Sequence, residues 1–158
     1  MPRTHRSQAG EAATEVILST FRATGLFLAA GDDLTAAAGL TAARWQVLGA
    51  IALADRPLTV PQIARRMGLT RQSIHATVKR LVEEGLLELA SNADHRRSQL
   101  VRLTARGRAK YSTLDKRQAS WVNGVASGID TADLKTAARV LDELSRRLEA
   151  DDGADTST

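Results

Sequence analysis

The segment "LTVPQIARRMGLTRQSIHATVKRLVEEGLL" (58–87) contains the pattern of two short amphipathic helices separated by a glycine. Thr59 and Thr70 each stand where a helix N-cap is preferred, just ahead of a run with helical spacing. Gly68 between them permits the left-handed backbone of a tight turn. The spacing therefore predicts a helix-turn-helix whose second helix covers about residues 70–84.

The second helix of this pair has one apolar face and one polar face. Its apolar residues recur at three- or four-residue spacing, so they are predicted to share a core with those of the first helix. The predicted shared core is Ile63, Met67, Leu69, Ile74, Val78 and Leu81. On the polar face, Arg and Gln suit base edges in the major groove, whereas Ser, Thr and Lys suit phosphates. The predicted DNA contacts are Thr70, Arg71, Gln72, Ser73, His75, Ala76, Lys79 and Arg80.

Two segments of alternating polarity follow the second helix and predict a pair of antiparallel strands. They are "LLELAS" (86–91) and "QLVRLT" (99–104), so this wing is predicted over about residues 86–103. Between them lies a polar tip with two adjacent arginines, which suit a narrow and electronegative minor groove. The predicted contacts of the wing are Arg96, Arg97 and Ser98.

The first helix of the pair carries polar residues that are predicted to hold DNA phosphates. They are Thr59, Gln62, Arg65 and Arg66. For the two arginines, the alternative is a salt bridge with the acidic pair Glu83 and Glu84. His75 on the second helix also has two interpretations, a DNA contact or simple coverage of the helix surface.

Basic residues are concentrated in the middle of the chain. Residues 57–110 hold eleven basic and four acidic side chains, a balance of +7, whereas the rest of the chain has a balance of −3. This distribution favours a polyanionic partner, although charge alone is also consistent with a solvated face. Together with the order helix, turn, helix, strand, strand, the charge favours DNA.

Helical periodicity continues on both sides of this segment. Ahead of it, the sequence predicts a helix that ends at Gly31 and a second helix capped by Thr41. Behind it, Thr104 is predicted to cap a long helix that ends at Gly128, and Asp130 to cap a final helix.

Polar, aperiodic residues at 1–10 and 150–158 predict flexible N- and C-terminal tails. The expected fold class is mainly α with a small antiparallel β-hairpin wing, an α+β arrangement. No apolar run comes near the roughly 18–20 residues that a membrane span needs, so no membrane span is predicted. No secretory signal is predicted either. The predicted localisation is cytoplasmic.

The composition excludes several kinds of site. The chain has no cysteine, so it has neither disulfides nor thiolate metal ligands. Its histidines, His5, His75 and His95, are far apart in the sequence, and no phosphate-binding glycine loop or metal-ligand spacing accompanies them. The sequence therefore predicts no enzyme active site, no cofactor and no metal.

Four segments of the chain resemble the MarR family of bacterial transcription regulators. They are "GLTAARWQVLGAI" (39–51), the helix-turn-helix (58–87), "RRSQLVRLT" (96–104) and "LTARGRA" (103–109). The resemblance covers about residues 11–149 and implies a single domain. Within it, residues 41–103 would form the winged helix-turn-helix, and 11–31 with 104–149 the helical dimerisation region.

The resemblance implies an obligate homodimer that binds a pseudo-palindromic operator in double-stranded DNA, usually as a repressor released by a small-molecule effector. Such a regulator acts in the bacterial cytoplasm and is nucleoid-associated. The dimer seam is expected at near-heptad leucines of the last helix, Leu134, Leu141, Leu144 and Leu148. In this family the effector pocket lies between the dimer helices and the winged helix, where Trp45 is a candidate lining residue.

The wing departs from the family pattern at one position. Many members carry an aspartate two residues ahead of the arginine that enters the minor groove, and alignment from Thr104 places Arg97 at that arginine. His95 then stands at the aspartate position, with Asp94 one residue earlier. Either Asp94 substitutes through a shifted tip, or Arg96 and Arg97 share the contact.

Two other functions are compatible with a winged helix. A module that binds protein is expected to have an apolar or acidic recognition helix, whereas the helix predicted here is basic and polar. A nonspecific architectural DNA binder has the same charge pattern. The ratio of specific to nonspecific affinity at fixed salt separates that function from operator recognition.

Overall fold

A computed structural model describes residues 5–54, 56–93 and 98–154 of the chain. The described residues form helices and a small antiparallel sheet, which confirms the predicted fold class. In chain order the elements are α1 (Gln8–Ala36), α2 (Ala42–Ala52), β1 (Leu58–Thr59), α3 (Val60–Met67), α4 (Arg71–Glu83), β2 (Leu87–Ala90), β3 (Leu100–Leu103), α5 (Ala105–Val125) and α6 (Thr131–Ala154).

The chain divides into two compact units, and the boundary falls within α5. The first unit ends at Gln118 and contains α1 to β3 with most of α5, whereas the second begins at Ala119 and contains the end of α5 with α6. The single domain predicted over residues 11–149 spans parts of both units.

Local capping explains why α2 and α4 begin where they do. The Thr41 hydroxyl accepts a hydrogen bond from the Arg44 N–H at 3.3 Å, and the Thr70 hydroxyl accepts one from the Ser73 N–H at 3.1 Å. Between α3 and α4, Gly68 has a φ of +63°, in the left-handed region that glycine adopts without strain. These contacts confirm the predicted helix-turn-helix.

The wing strands belong to a sheet of three strands in the order β1-β3-β2. The hairpin of β2 and β3 is confirmed, with Leu89 paired to Val101 in antiparallel register. The sequence did not predict β1, in which Leu58 also pairs with Val101 from the other side. Val101 is therefore held between two strands and is fully buried.

The core of the first unit lies between the helix-turn-helix, α2 and the sheet. Ile63, Ile74 and Leu81 are almost inaccessible, as predicted for the shared core of α3 and α4. The prediction for Leu69 is wrong, because its side chain is 48% exposed. Leu69 follows the left-handed Gly68 and lies in the turn between the helices, so it belongs to neither buried helical face.

The predicted break at Gly31 is wrong, because α1 continues without interruption to Ala36. A Cβ added at Gly31 would lie 2.8 Å from the Cβ of Ala42, so glycine permits close packing of α1 on α2. The next residue, Asp32, accepts a hydrogen bond from the Ala42 N–H at 2.7 Å. Residues that resemble a helix break thus join two helices instead.

Helix α1 also begins earlier than predicted and is largely exposed. The Ser7 side chain caps it by accepting a hydrogen bond from the Gly10 N–H at 3.1 Å, within the predicted N-terminal tail. Leu18, Phe21 and Phe27 are each more than half exposed. By length and composition alone α1 is apolar enough to cross a membrane, which the sequence analysis did not expect. An exposed apolar helix of this kind equally suits a protein partner.

In the second unit, α6 follows a turn at Gly128, whose φ is +80°. Asp130 accepts a hydrogen bond from the Ala132 N–H at 2.7 Å, as expected of a cap. The helix extends to Ala154, beyond the predicted boundary near residue 149. On its surface the guanidinium of Arg147, hydrogen-bonded to Glu143 at 2.7 Å, lowers the pKa of that carboxylate, with a further contribution from Arg146.

Candidate nucleic-acid interface

Helix α4 presents the predicted DNA contacts on its exposed face. Ile74, Val78 and Leu81 are buried, and these positions lie three or four residues apart along the helix. Most of the remaining positions are exposed, because a helix buries one stripe of its surface. The exposed set contains all the predicted recognition-helix contacts, namely Thr70, Arg71, Gln72, Ser73, His75, Ala76, Lys79 and Arg80.

A groove of about 770 Å³ lies between α4 and the wing, within the first unit. Its polar lining includes residues predicted to contact DNA from both elements, namely Arg71, Gln72, His75, Lys79 and Ser98. Its apolar lining is Val60, Pro61, Val78, Val82 and Leu89. The fold thus brings the recognition helix and the first residue after the wing tip to one concave surface.

Helix α3 gives its predicted phosphate contacts different roles. The Gln62 side chain accepts hydrogen bonds from the Thr59 N–H at 2.8 Å and from the Thr59 hydroxyl at 3.1 Å. Thr59 is buried, so its hydroxyl serves the start of α3 and is not presented to a phosphate. Arg65 is exposed, and Arg66 donates a long hydrogen bond of 3.4 Å to the Leu53 carbonyl.

The alternative prediction for the two arginines, Arg65 and Arg66, was a salt bridge with Glu83 or Glu84. It is wrong, because the described part of the chain contains no such ion pair. Glu84 instead pairs with Arg44 of α2 at 2.5 Å and with Arg80 of α4 at 3.1 Å. The pairing with Arg44 spans forty residues of sequence. Local spacing cannot indicate such a contact, whereas the i,i+4 spacing of Arg80 and Glu84 was a usable signal.

One hydroxyl anchors the wing to the helices on either side of it. The Thr104 side chain donates a hydrogen bond to the Gly85 carbonyl at 2.8 Å and accepts one from the Gly107 N–H at 3.0 Å. It therefore joins the end of α4 to the start of α5, directly after β3. The tip residues Arg96 and Arg97, with Asp94 and His95, lie outside the described residues.

A second cavity, of about 410 Å³, lies within the first unit and shares no lining residue with the groove beside α4. Its lining comes from α2, α3 and α5, and comprises Trp45, Gln46, Gly49, Ala50, Leu53, Arg66, Met67, Tyr111, Asp115 and Gln118. The Trp45 indole N–H is buried and has no hydrogen-bond acceptor among the described residues. Burial, followed by the nearby Asp115 carboxylate, raises the pKa of Tyr111 above 10.0.

The hydrophobic seam predicted on α6 is exposed within its own unit. Leu134 and Leu141 are each about two-fifths exposed, and Leu148 is about two-thirds exposed. Leu144 is partly buried. The structure describes one copy of the chain, so the predicted dimer contact of these leucines stays a prediction.

Comparison with known proteins gives a consistent set of similarities. A sequence model of the MarR family matches residues 38–98. An uncharacterised protein of Mycobacterium tuberculosis is 38% identical over 136 residues, which cover 86% of this chain and 94% of the relative. The transcriptional activatory protein BadR of Rhodopseudomonas palustris is 27% identical over 154 residues, covering 91% of this chain and 85% of BadR.

The fold is also similar to that of solved regulators. The structure of CouR from Rhodococcus jostii, bound to p-coumaroyl-CoA, has a TM-score of 0.70 to this chain. The sequences are 22% identical, and the match covers 82% of this chain and 88% of CouR. At this level of identity, the similarity concerns the fold.

Proposed function

This chain belongs to the MarR family of transcription regulators, and from that premise we propose that it is a sequence-specific, homodimeric binder of double-stranded DNA. The observation that carries the proposal is the outer face of α4, where every predicted contact is exposed while the opposite face is buried in the core. A rigidly packed helix with Arg, Gln and Ser outward is suited to insertion into a major groove.

In the proposed complex, two copies of α4 occupy successive major grooves of a pseudo-palindromic operator. The two half-sites would then lie about 34–36 Å apart, which is one turn of DNA. Arg71 and Gln72 at the start of α4 are the proposed base readers, and Lys79 and Arg80 further along are proposed phosphate contacts. The wing tips, with Arg96 and Arg97, would enter the flanking minor grooves.

We propose that a small molecule in the cavity beside Trp45 regulates DNA binding. The cavity contacts α2, α3 and α5, and α3 packs directly on the recognition helix. A ligand that prefers one arrangement of these helices changes DNA affinity by its differential binding energy. The unpartnered indole N–H offers a hydrogen bond to an acceptor on that ligand.

Release of a repressor is the proposed outcome of ligand binding. The second candidate is activation, which the similarity to a protein described as transcriptional activatory favours. Transcription of the target promoter in vitro, with and without the purified protein, separates the two. The proposed place of action is the bacterial cytoplasm, at the nucleoid, and no catalytic role is proposed.

Selection of preferred duplexes from a random pool tests the proposal directly. We expect an enriched sequence with two inverted half-sites, bound far more tightly than a mixed-sequence duplex at the same salt, by a factor of about 10³ or more. Gln72→Ala should relax the preference at one base pair by about 1–3 kcal/mol. The matched surface change Arg139→Ala, in the second unit, should leave the selected sequence unchanged.

Substitution of the wing arginines tests the minor-groove contact. Each of Arg96→Ala and Arg97→Ala removes a charge, so the one that contacts DNA should weaken binding and lower the salt slope by about one per lost phosphate contact. Unchanged affinity in both variants would remove the wing from the proposed interface. Absence of any enriched sequence would favour the nonspecific architectural function.

The ligand proposal has its own test, for which p-coumaroyl-CoA, the compound bound by CouR, is the first probe. Binding is followed by tryptophan fluorescence and by loss of DNA affinity. In Trp45→Phe the ligand should cause a smaller loss of DNA affinity, because the change removes the N–H donor and keeps an aromatic ring. Trp121→Phe, in the second unit, is the control for fluorescence that does not come from Trp45.

A further inference from the structure

Glu84, just after α4, holds two guanidinium groups on a single carboxylate oxygen. The Arg44 Nη1 lies 2.5 Å from Glu84 Oε1, and the Arg80 Nε lies 3.1 Å from the same atom. The two arginines come from different helices, α2 and α4. Because they share one acceptor atom, removal of either cation leaves the carboxylate to the other.

The two arginines differ in how firmly they are held. The Arg44 side chain is 21% exposed, and its Nη2 also donates to the Gly39 carbonyl at 3.2 Å. The Arg80 side chain is 68% exposed, and its described polar contact is the one with Glu84. Arg80 is therefore the member of the cluster that a DNA phosphate can reach and withdraw.

A third arginine contacts the main chain of the same residue. The Arg106 Nη1 donates a hydrogen bond to the main-chain carbonyl of Glu84 at 3.1 Å. Two guanidinium groups thus contact the Glu84 carboxylate, and a third contacts the main chain of the same residue, at the end of α4. In such a cluster the carboxylate controls where the exposed cation points, since opposite charges at this distance attract.

We propose that Glu84 is a specificity-determining positioning residue that holds Arg80 away from DNA phosphates. Arg44 competes with Arg80 for the same carboxylate oxygen, so it weakens the hold of Glu84 on Arg80. The proposal rests on the proposed DNA-binding function and adds a restraint to it. On an arbitrary sequence, Arg80 must exchange its pair with Glu84 for a phosphate, so nonspecific affinity is reduced. On a well-fitted operator, the helix is placed closely enough for the exchange to be favourable.

The restraint predicts opposite effects for two residues that do not themselves contact DNA in the proposal. Glu84→Gln frees Arg80 and should tighten binding to a mixed-sequence duplex by about two- to fivefold, the range expected of one exposed ion pair. Arg44→Gln leaves Glu84 to Arg80 alone and should weaken binding by a similar factor. In the Arg80→Gln background each substitution should keep only the small effect of its change in net charge, and for Glu84→Gln that effect should equal that of Glu83→Gln.

The experiment measures fluorescence anisotropy of a labelled mixed-sequence duplex of about 30 base pairs, three turns of DNA, with the full chain at two salt concentrations. The matched control is Glu83→Gln, which makes the same charge change one residue away. Glu83 is exposed and has no ion pair in the described part of the chain. Its effect, from general electrostatics, should persist in the Arg80→Gln background.

Several results would overturn the restraint. They are equal affinity of Glu84→Gln and wild type, a Glu84→Gln effect in the Arg80→Gln background that exceeds the effect of Glu83→Gln there, or an Arg44→Gln variant that binds as well as wild type. If Arg44→Gln proves unfolded by circular dichroism, the cycle of Glu84→Gln and Arg80→Gln decides alone. If the wild type bound no duplex, the proposed DNA-binding function itself would be overturned. Failure of the restraint alone would leave wild-type DNA binding intact, so the two outcomes are distinguishable.

Discussion

The packing of α5 against the residues that follow α4 requires a glycine at position 107, because no side chain fits there. A Cβ added there would lie 2.1 Å from the Leu86 carbonyl oxygen and 3.2 Å from Leu103 Cδ2. A main-chain carbonyl cannot move aside as the end of a flexible side chain can. The Gly107 N–H also donates a hydrogen bond to the Thr104 hydroxyl, the local contact of a helix cap with the residue three positions later.

Gly107→Ala should therefore lower the free energy of unfolding by about 1–3 kcal/mol, the usual cost of an overpacked site. The matched control is Gly124→Ala in the same helix, where an added Cβ meets nothing within 4 Å. There, the better helix propensity of alanine should be neutral or stabilising by up to about 1 kcal/mol. Urea unfolding measures both, and equal effects would contradict the packing argument.

The titration of Tyr111 can be followed directly, because Tyr111 is the only tyrosine in the chain. Burial and then Asp115 raise its pKa above 10.0, so the folded protein retains the phenolic proton where the unfolded chain loses it. The contribution of Tyr111 to stability is constant well below pH 10.0 and is lost as the pH rises from there through the folded pKa.

Ultraviolet absorbance of tyrosinate should accordingly show a midpoint above 10.0 in the folded protein. In Asp115→Asn the midpoint should move down towards that value and remain above it, because burial is the larger cause and persists. A folded protein that titrates at or below 10.0 would show that the phenol is neither buried nor close to the carboxylate.

At the scale of elements, the wing is held by its connections to α4 and α5. Thr104→Val keeps the shape of the side chain but removes the hydrogen bonds to Gly85 and Gly107, and should lower stability by about 1–2 kcal/mol. Thr104→Ser keeps the hydroxyl and should retain most of the stability that the valine variant loses. Hydrogen exchange at the Gly107 amide should be faster in the valine variant alone.

The elements that were predicted correctly are those with local causes. Threonine caps, Gly68 and the alternation of β2 and β3 are each readable within a few residues. Strand β1 was missed because its two residues exist as a strand only through pairing with β3, about forty residues later. Similarly, Gly31 resembles a helix end, and only its contact with Ala42 shows its actual role.

The candidate interface divides in the same way. The exposed face of α4 follows from helical periodicity once the core face is known, and the structure places those side chains as expected. The burial of Thr59 and the pairing of Glu84 with Arg44 were not predictable, because each depends on a packing contact rather than on spacing. The second cavity was not predictable either, because it is formed only by the packing of α2, α3 and α5 together.

At the scale of the whole molecule, both units present apolar side chains that one copy leaves exposed. Phe21 of α1 is 70% exposed and Leu148 of α6 is 68% exposed. Exposed large apolar side chains of this kind suit a protein partner, and a second copy is the proposed partner. Each helix is therefore expected to contribute to the homodimer.

Phe21→Asp and Leu148→Asp should each weaken the dimer, since a buried unpaired carboxylate opposes association. Sedimentation velocity over a range of concentrations measures the change. The control is Leu69→Asp, because Leu69 is an exposed leucine in the turn of the helix-turn-helix, outside the proposed dimer surface. Unchanged association in both test variants would argue against α1 and α6 as the interface.

The register between β2 and β3 has a practical consequence. Four consecutive pairs, from Leu87 with Leu103 to Ala90 with Leu100, together with the Thr104 hydroxyl, fix the base of the wing. The tip can therefore be treated as a cassette, since doubling the length of a loop costs only about 0.6 kcal/mol in closure entropy. Chimeras that graft the tips of other winged-helix proteins between Ala90 and Leu100 should stay folded and transplant the donor's minor-groove preference.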